Sequence, residues 1–338
     1  EDLSLREFRA GVQARSEPLV ITGLGDVLTE DGADGAELRW LRRHAASKTV
    51  AVSQRHAHTR SELRAADYEL STVGELLDAV DAGEADGRYL YDCSLPLKLP
   101  SLLQAVRVPR YFAHDFLMRT MRLHAFSASW PSLFVAAAGT QSSLHVDQWQ
   151  GHFWMAMVRG TKRWTLFDAA DLHLLSPDWG RNTLDPAMPP LDELDGLDDK
   201  TGSERRHALA RLARRYEVDL GPGEVLYVPG GWPHHVRNLD NTVSFAGNYC
   251  DETNIERALA DMQLMGARQG DAMADSFRAV DEVDFEEAGA TSEADEAGMG
   301  DLLAAEDLVV PCSAFRSGEA AAWRGPLPDD VKQELAAA

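Results

Sequence analysis

Cysteine is scarce in this chain of 338 residues: Cys93, Cys250 and Cys312 stand far apart, with no Cys-x-x-Cys pair. That excludes a disulfide framework and a structural zinc knuckle, and it fits a reducing, intracellular setting, nucleus or cytoplasm. Long apolar runs are missing too, since a membrane-spanning helix needs about 18 such residues. The opening Glu1-Asp2-Leu3-Ser4 has no basic stretch ahead of an apolar one, so no secretory leader is expected, although a start other than Met leaves a removed leader open. Positive charge is in deficit: 33 Lys and Arg face 55 Asp and Glu, for a net charge of −22. Nucleic acid and anionic bilayers both call for basic surfaces, so neither is an expected partner. There is no dense Lys/Arg localisation run and no internal repeat.

What is present is an ordinary apolar share, 44%, enough for a core in one large domain or two. The negative charge is uneven. Residues 281–307 carry eleven acidic side chains and no Lys or Arg, half of the net charge in 27 residues, and read as a flexible solvated segment. Asp185 to Asp199, with six acidic residues among Pro and Gly, reads as a loop. A basic helix is expected over Glu204–Tyr216, where Leu209 and Leu212 have helical spacing. Ser4 and Glu7 form a capping signature ahead of Leu5, Phe8 and Val12, so a helix opens the chain. Further helices are expected over Thr72–Ala82, over Tyr111–Leu123 and from Asn254 on. Strands are expected at Leu19–Thr22, around Tyr89-Leu90-Tyr91, and at Ser132–Ala136, Phe153–Val158, Arg163–Phe167, Val225–Val228 and Val243–Tyr249. Arg159-Gly160-Thr161-Lys162 reads as a hairpin turn. Many short strands with Gly/Pro turns predict a mainly β barrel or jelly roll.

His145-Val146-Asp147 carries the first chemistry. Side chains two apart on a strand share a face, so an imidazole and a carboxylate can grip one ion. Two His nitrogens and one carboxylate, with positions left open, make the ligand set of non-haem Fe(II) oxygenases. The second imidazole would come from Trp232-Pro233-His234-His235, beyond a strand some ninety residues on. A lone His-x-Asp is weak, because composition alone gives about two such triplets by chance. Lys162 by itself reads better as a hairpin-turn lysine than as a pocket cation. Trp149, Trp154, Trp164 and Trp232 read as core or pocket wall, and His152 as a satisfied structural histidine.

Ser142–Phe167 and Pro222–Tyr249 together resemble the two metal motifs of the JmjC-domain (cupin-like) oxygenases. The pieces Gly160-Thr161-Lys162-Arg163-Trp164 and Val228-Pro229-Gly230-Gly231-Trp232-Pro233-His234 are most similar to the arginine-demethylase/lysyl-hydroxylase branch. The lead-in Glu17–Gly23 is similar to that of cupin-like JmjC proteins. The resemblance runs from about residue 5 to about 265. It implies a double-stranded β-helix (jelly-roll, cupin) core with flanking helices: a lead-in over 1–110, a catalytic core over 111–268 and an acidic C-terminal segment, partly helical or flexible, over 269–338. It places the iron ligands on His145, Asp147 and His234, with His235 the alternative to His234. It places 2-oxoglutarate contacts on Lys162, Ser142, Tyr89 (Tyr91 competing) and Asn248.

The activity implied is Fe(II)- and 2-oxoglutarate-dependent dioxygenation, using O2 and releasing succinate and CO2. The substrate implied is a side chain of a protein or peptide, hydroxylated or N-demethylated, and the acidic loops favour a Lys/Arg-rich one. Ala246, Met155 and Pro233 depart from the family pattern around the co-substrate. They motivate an alternative, an inactive JmjC-like binding module, with another metal-dependent cupin as a third reading.

Overall fold

The computed structural model describes residues 3–32, 37–54, 57–58, 65–85, 87–113, 115, 130–179, 186–195, 207–258, 260–261 and 309–311. The acidic stretch 281–307 lies outside the described residues, as does most of the expected Tyr111–Leu123 helix, whose start is a short 3-10 turn at Arg110–Phe112.

Fifteen strands are described: β1 (Leu19–Ile21), β2 (Thr49–Ser53), β3 (Ala57–His58), β4 (Tyr68–Thr72), β5 (Tyr89–Ser94), β6 (Arg107–Pro109), β7 (Ser132–Ala136), β8 (Gln141–His145), β9 (His152–Arg159), β10 (Lys162–Phe167), β11 (Arg215–Leu220), β12 (Val225–Val228), β13 (His234–Asn238), β14 (Thr242–Tyr249) and β15 (Val309–Pro311). One sheet has eight strands in the order β1-β12-β9-β14-β7-β5-β2-β4, and a second has five, β11-β10-β13-β8-β3. β15 pairs with β6 alone. The order jumps back and forth along the chain, as in a jelly roll. The mainly β expectation holds.

The large sheet is apolar on both faces. On β9, Trp154, Ala156 and Val158 join the core under the N-terminal elements, while Phe153, Met155 and Met157 face the second sheet. Helix α1 (Leu5–Glu7) opens with a capping box: Ser4 Oγ accepts from the Glu7 N–H and Glu7 Oε2 accepts from the Ser4 N–H. It continues as a π-helical stretch over Phe8–Gln13 that buries Phe8 and Val12. Helix α2 (Arg39–Ala45) and helix α3 (Val73–Ala82) lie in the same layer, and α3 starts on a second capping box, Thr72 with Glu75.

Three local expectations change. Gly160 and Thr161 do not make a hairpin, because β9 and β10 belong to different sheets. The turn is a corner between them, and Gly160 is required there: φ is +71° and a Cβ would sit 2.4 Å from Asn241 O. Of the expected basic helix, the described part from residue 207 on holds only a 3-10 segment at Ala208–Leu212, and Arg215 and Tyr216 already belong to β11. Leu209 and Leu212 stay exposed, so their helical spacing finds nothing to pack on. Cross-strand pairing wins instead, reinforced by the Arg163–Asp219 ion pair. The acidic loop holds a short helix, Leu191–Asp195, that buries Leu194.

Candidate metal centre

His145, Asp147 and His234 converge between the two sheets, where the His234 ring meets Phe153 of one and Trp164 of the other. Each offers one ligand atom, and the three lie within 4.8 Å of one another. His145 ends β8 and faces His234, the first residue of β13, across the ladder. Their rings lie 4.3 Å apart. Asp147 follows just past the strand end, with Oδ1 3.7 Å from His145 Nε2.

Each group is oriented by a partner on its other side. His145 Nδ1 bonds to Ser143 O at 2.7 Å and His234 Nδ1 to Trp232 O at 3.0 Å. A ring nitrogen that meets a carbonyl must carry the proton, so both Nε2 atoms are left as acceptors. Asn248 Nδ2 donates to Asp147 Oδ2 at 3.0 Å, leaving Oδ1 on the histidine side. Burial, with His145 beside it, pushes His234 down to about 4. A neutral imidazole is the form that binds a metal. The donor set, two neutral nitrogens and one carboxylate oxygen, therefore fits a divalent transition metal. His235 points to the opposite face of β13, where its Nε2 meets Gln141 Oε1 at 3.2 Å.

A β-bulge brings Ser142 to the same face as His145. His145 pairs with His234 and Ser142 with Val236, three residues on β8 against two on β13. Lys162, at the start of β10, pairs with Asn238 and lies on that face as well. It is fully buried. Its Nζ donates to Tyr89 Oη at 3.3 Å and sits 5.3 Å and 5.7 Å from the Tyr89 and Phe134 ring centres. Tyr89 is bonded in turn to Ser142 and Asn238, and Tyr91 also reaches Ser142. Among the described residues no carboxylate pairs with Lys162, and burial alone pushes its ammonium down to about 7. An ammonium desolvated in this way favours an incoming anion.

The structure thus brings all seven expected site residues to the space between the sheets or its rim. Asn238 was not expected. It lies four residues after His234 on the same face, where it donates to Thr140 and accepts from Thr242. Only the strand register reveals it. Met155 and Ala246 pair directly and are both buried in the interior core.

Fold and site together define a jelly-roll protein with a two-histidine, one-carboxylate cluster at one end of its interior. The cupin-like domain profile matches residues 5–254, and the chain belongs to that family. It is 22% identical over 276 residues to arginine-specific demethylase JMJ20 of Arabidopsis thaliana, covering 75% of this chain and 57% of the relative. It is 28% identical over 222 residues to arginine-specific demethylase JMJ22 of the same plant, covering 60% and 42%. With human 2-oxoglutarate and iron-dependent oxygenase JMJD4 it shares 28% over 187 residues, covering 52% and 40%. The chain spans about half the length of these relatives. No helix among the described residues is long and apolar enough to cross a membrane.

Proposed function

We propose that this chain is an Fe(II)- and 2-oxoglutarate-dependent dioxygenase that oxidises a side chain of a protein substrate. The observation that carries the reading is the His145–Asp147–His234 cluster, its three donor atoms within 4.8 Å, on the same interior as the buried Lys162, which pairs with no carboxylate among the described residues. His145 and His234 through Nε2, and Asp147 through Oδ1, would hold the metal. Iron in that set supplies the redox chemistry that couples O2-driven decarboxylation of 2-oxoglutarate, to succinate and CO2, to oxidation of a C–H bond.

The chain's own residues do the rest. Lys162 neutralises the far carboxylate of the co-substrate, with Tyr89 and Ser142 beside it. Asn248 keeps Asp147 turned toward the histidines. Met155, Met157, Ala246 and Leu226 make an apolar wall that excludes water from the interior. His145 and Asp147 are only half-buried, so the cluster opens outward for a substrate.

A substrate rich in Lys or Arg fits the net charge of −22, which steers cations toward the protein. Three relatives that carry demethylase in their names support the same class: JMJ20, JMJ22 and lysine-specific demethylase JMJ21, all of Arabidopsis thaliana. The test is 2-oxoglutarate turnover to succinate with and without Fe(II). Turnover is expected to need the metal and to vanish in Asp147→Ala. Metal-dependent succinate release that persists in purified Asp147→Ala overturns the reading.

A further inference from the structure

Cross-strand pairing sorts the side chains between the sheets into rows. At the metal end, His145, His234 and Leu166 stand side by side, facing the row of Val228, Phe153 and Asn248. The Phe153 and His234 rings, 6.2 Å apart, join the two. The middle row holds Ser142, Val236 and Trp164 against Leu226, Met155, Ala246 and Ser132. The far row holds Lys162 and Asn238 against Met157, Ser244 and Phe134, with Lys162 Nζ 5.7 Å from the Phe134 ring centre.

Two polar atoms in these rows have no hydrogen-bond partner among the described residues: Trp164 Nε1 and Ser244 Oγ. Their residues are 1% and 0% exposed. Stranding a buried donor costs free energy, and native structures rarely tolerate it without a use. Trp164 lies one strand pair from Lys162 and one from the His234 position, its ring 5.5 Å from the His234 ring. Ser244 lies beside Phe134, under Lys162.

The chemistry of the stranded set is one-sided. An indole N–H only donates, an ammonium only donates, and a hydroxyl can donate. What they lack is an acceptor-rich anion that spans the middle and far rows. Resting on the dioxygenase reading above, we propose that Trp164 Nε1–H and Ser244 Oγ are two further contacts to the dicarboxylate co-substrate. The indole binds an oxygen at its metal-proximal half, and the hydroxyl joins Lys162 on the far carboxylate. Ser244 lies two residues from Ala246 on the same face of β14, so it returns a hydroxyl to a wall that Ala246 leaves bare.

The experiment uses the full chain loaded with Zn(II), so that no turnover occurs, and titrates 2-oxoglutarate. The indole proton resonance of Trp164, identified by its loss in Trp164→Phe or by its proximity to the His234 ring, is expected to move downfield on binding. Calorimetry is expected to show the dissociation constant rising about 10-fold or more in Trp164→Phe and several-fold in Ser244→Ala. Zn(II) affinity is expected to stay unchanged in both. If wild type binds 2-oxoglutarate while the indole resonance stays put and both variants bind as tightly, the assignment is overturned and the dioxygenase reading stands. If Trp164→Phe does not fold, the wild-type resonance alone decides. A metal-loaded wild type that takes up no 2-oxoglutarate overturns both.

Discussion

Two buried polar clusters lie on opposite faces of the eight-stranded sheet, and their hydrogen bonds are completed differently. On the face under the N-terminal helix, His152 Nδ1 accepts from the Gly230 N–H at 3.0 Å, and His152 Nε2 meets Thr253 Oγ1 at 2.8 Å. Thr253 Oγ1 donates to Asp251 Oδ1 at 2.7 Å, and Gln13 Nε2 donates to Asp251 Oδ2 at 2.6 Å and to Tyr249 Oη at 3.1 Å. Among the described residues of this network, only Gln13 Oε1 lacks a partner. On the face toward the second sheet, Lys162 has Tyr89 as its one hydrogen-bond partner among the described residues, and Trp164 Nε1 and Ser244 Oγ have none there. A network that closes on itself fixes the backbone it touches; one left open costs stability until something enters. The closed cluster also serves the open one. Gly230 precedes the His234 strand, and Asn254 Nδ2 donates to Gln150 O at 2.8 Å in the loop after Asp147. These two loops pack so tightly that a Cβ on Gly230 would meet Gln150 O at 2.0 Å.

Lys162→Met breaks the comparison hardest. Removing one member of a buried ion pair costs about 3–5 kcal/mol, so 2-oxoglutarate binding is expected to weaken roughly 100-fold or more. The ligand-free protein is expected to become more stable at pH 7, because an ammonium without a carboxylate leaves the interior. Calorimetry and urea unfolding without ligand check the two halves. Unchanged affinity, or a less stable empty protein, goes against an open cluster built for an anion.

Asp251→Ala is the counterpart on the closed side. It strips acceptors from Gln13 Nε2, Thr253 Oγ1 and the Thr253 N–H. The expected loss of stability is about 2–4 kcal/mol. The 2-oxoglutarate affinity of the remaining folded protein is expected to move less than about threefold. Denaturant midpoints and calorimetry check it. An affinity loss larger than the stability loss would mean that the two faces are not separable.

The two clusters were unequally legible in the sequence. His145 and Asp147 drew notice because their spacing is local, two residues along a strand end, but that spacing alone was weak, and the family motif was needed to choose His234 over His235. The helix start at Ser4 was legible because a capping box spans only four residues. Lys162 needed the family motif, and its burial comes from a corner between sheets that local turn chemistry reads as a hairpin. The side Ser142 faces depends on a bulge, which shifts alternation by one residue and leaves no mark in composition. Asn238, Trp164 and Ser244 became site residues only through register. A missing partner is a property of the packed interior and of no segment by itself.

The smallest expected effect is in proton uptake. Burial lowers Lys162 from its ordinary value near 10.5 to about 7 in the empty protein. Between those values the unfolded chain holds a proton that the folded chain has released. Stability therefore rises with pH across that window, and the penalty is fully present below about 7. His152 on the other face is lowered from 6.5 to about 4 by burial, so stability falls as pH drops through that range. Only the open cluster couples to the ligand. A carboxylate beside Lys162 restores its charge, so binding 2-oxoglutarate at pH 8 is expected to take up close to one proton, and far less at pH 5.5. Calorimetry at each pH in two buffers of different ionisation enthalpy measures this. Equal uptake at the two pH values would place the charge on the co-substrate's far end somewhere other than Lys162.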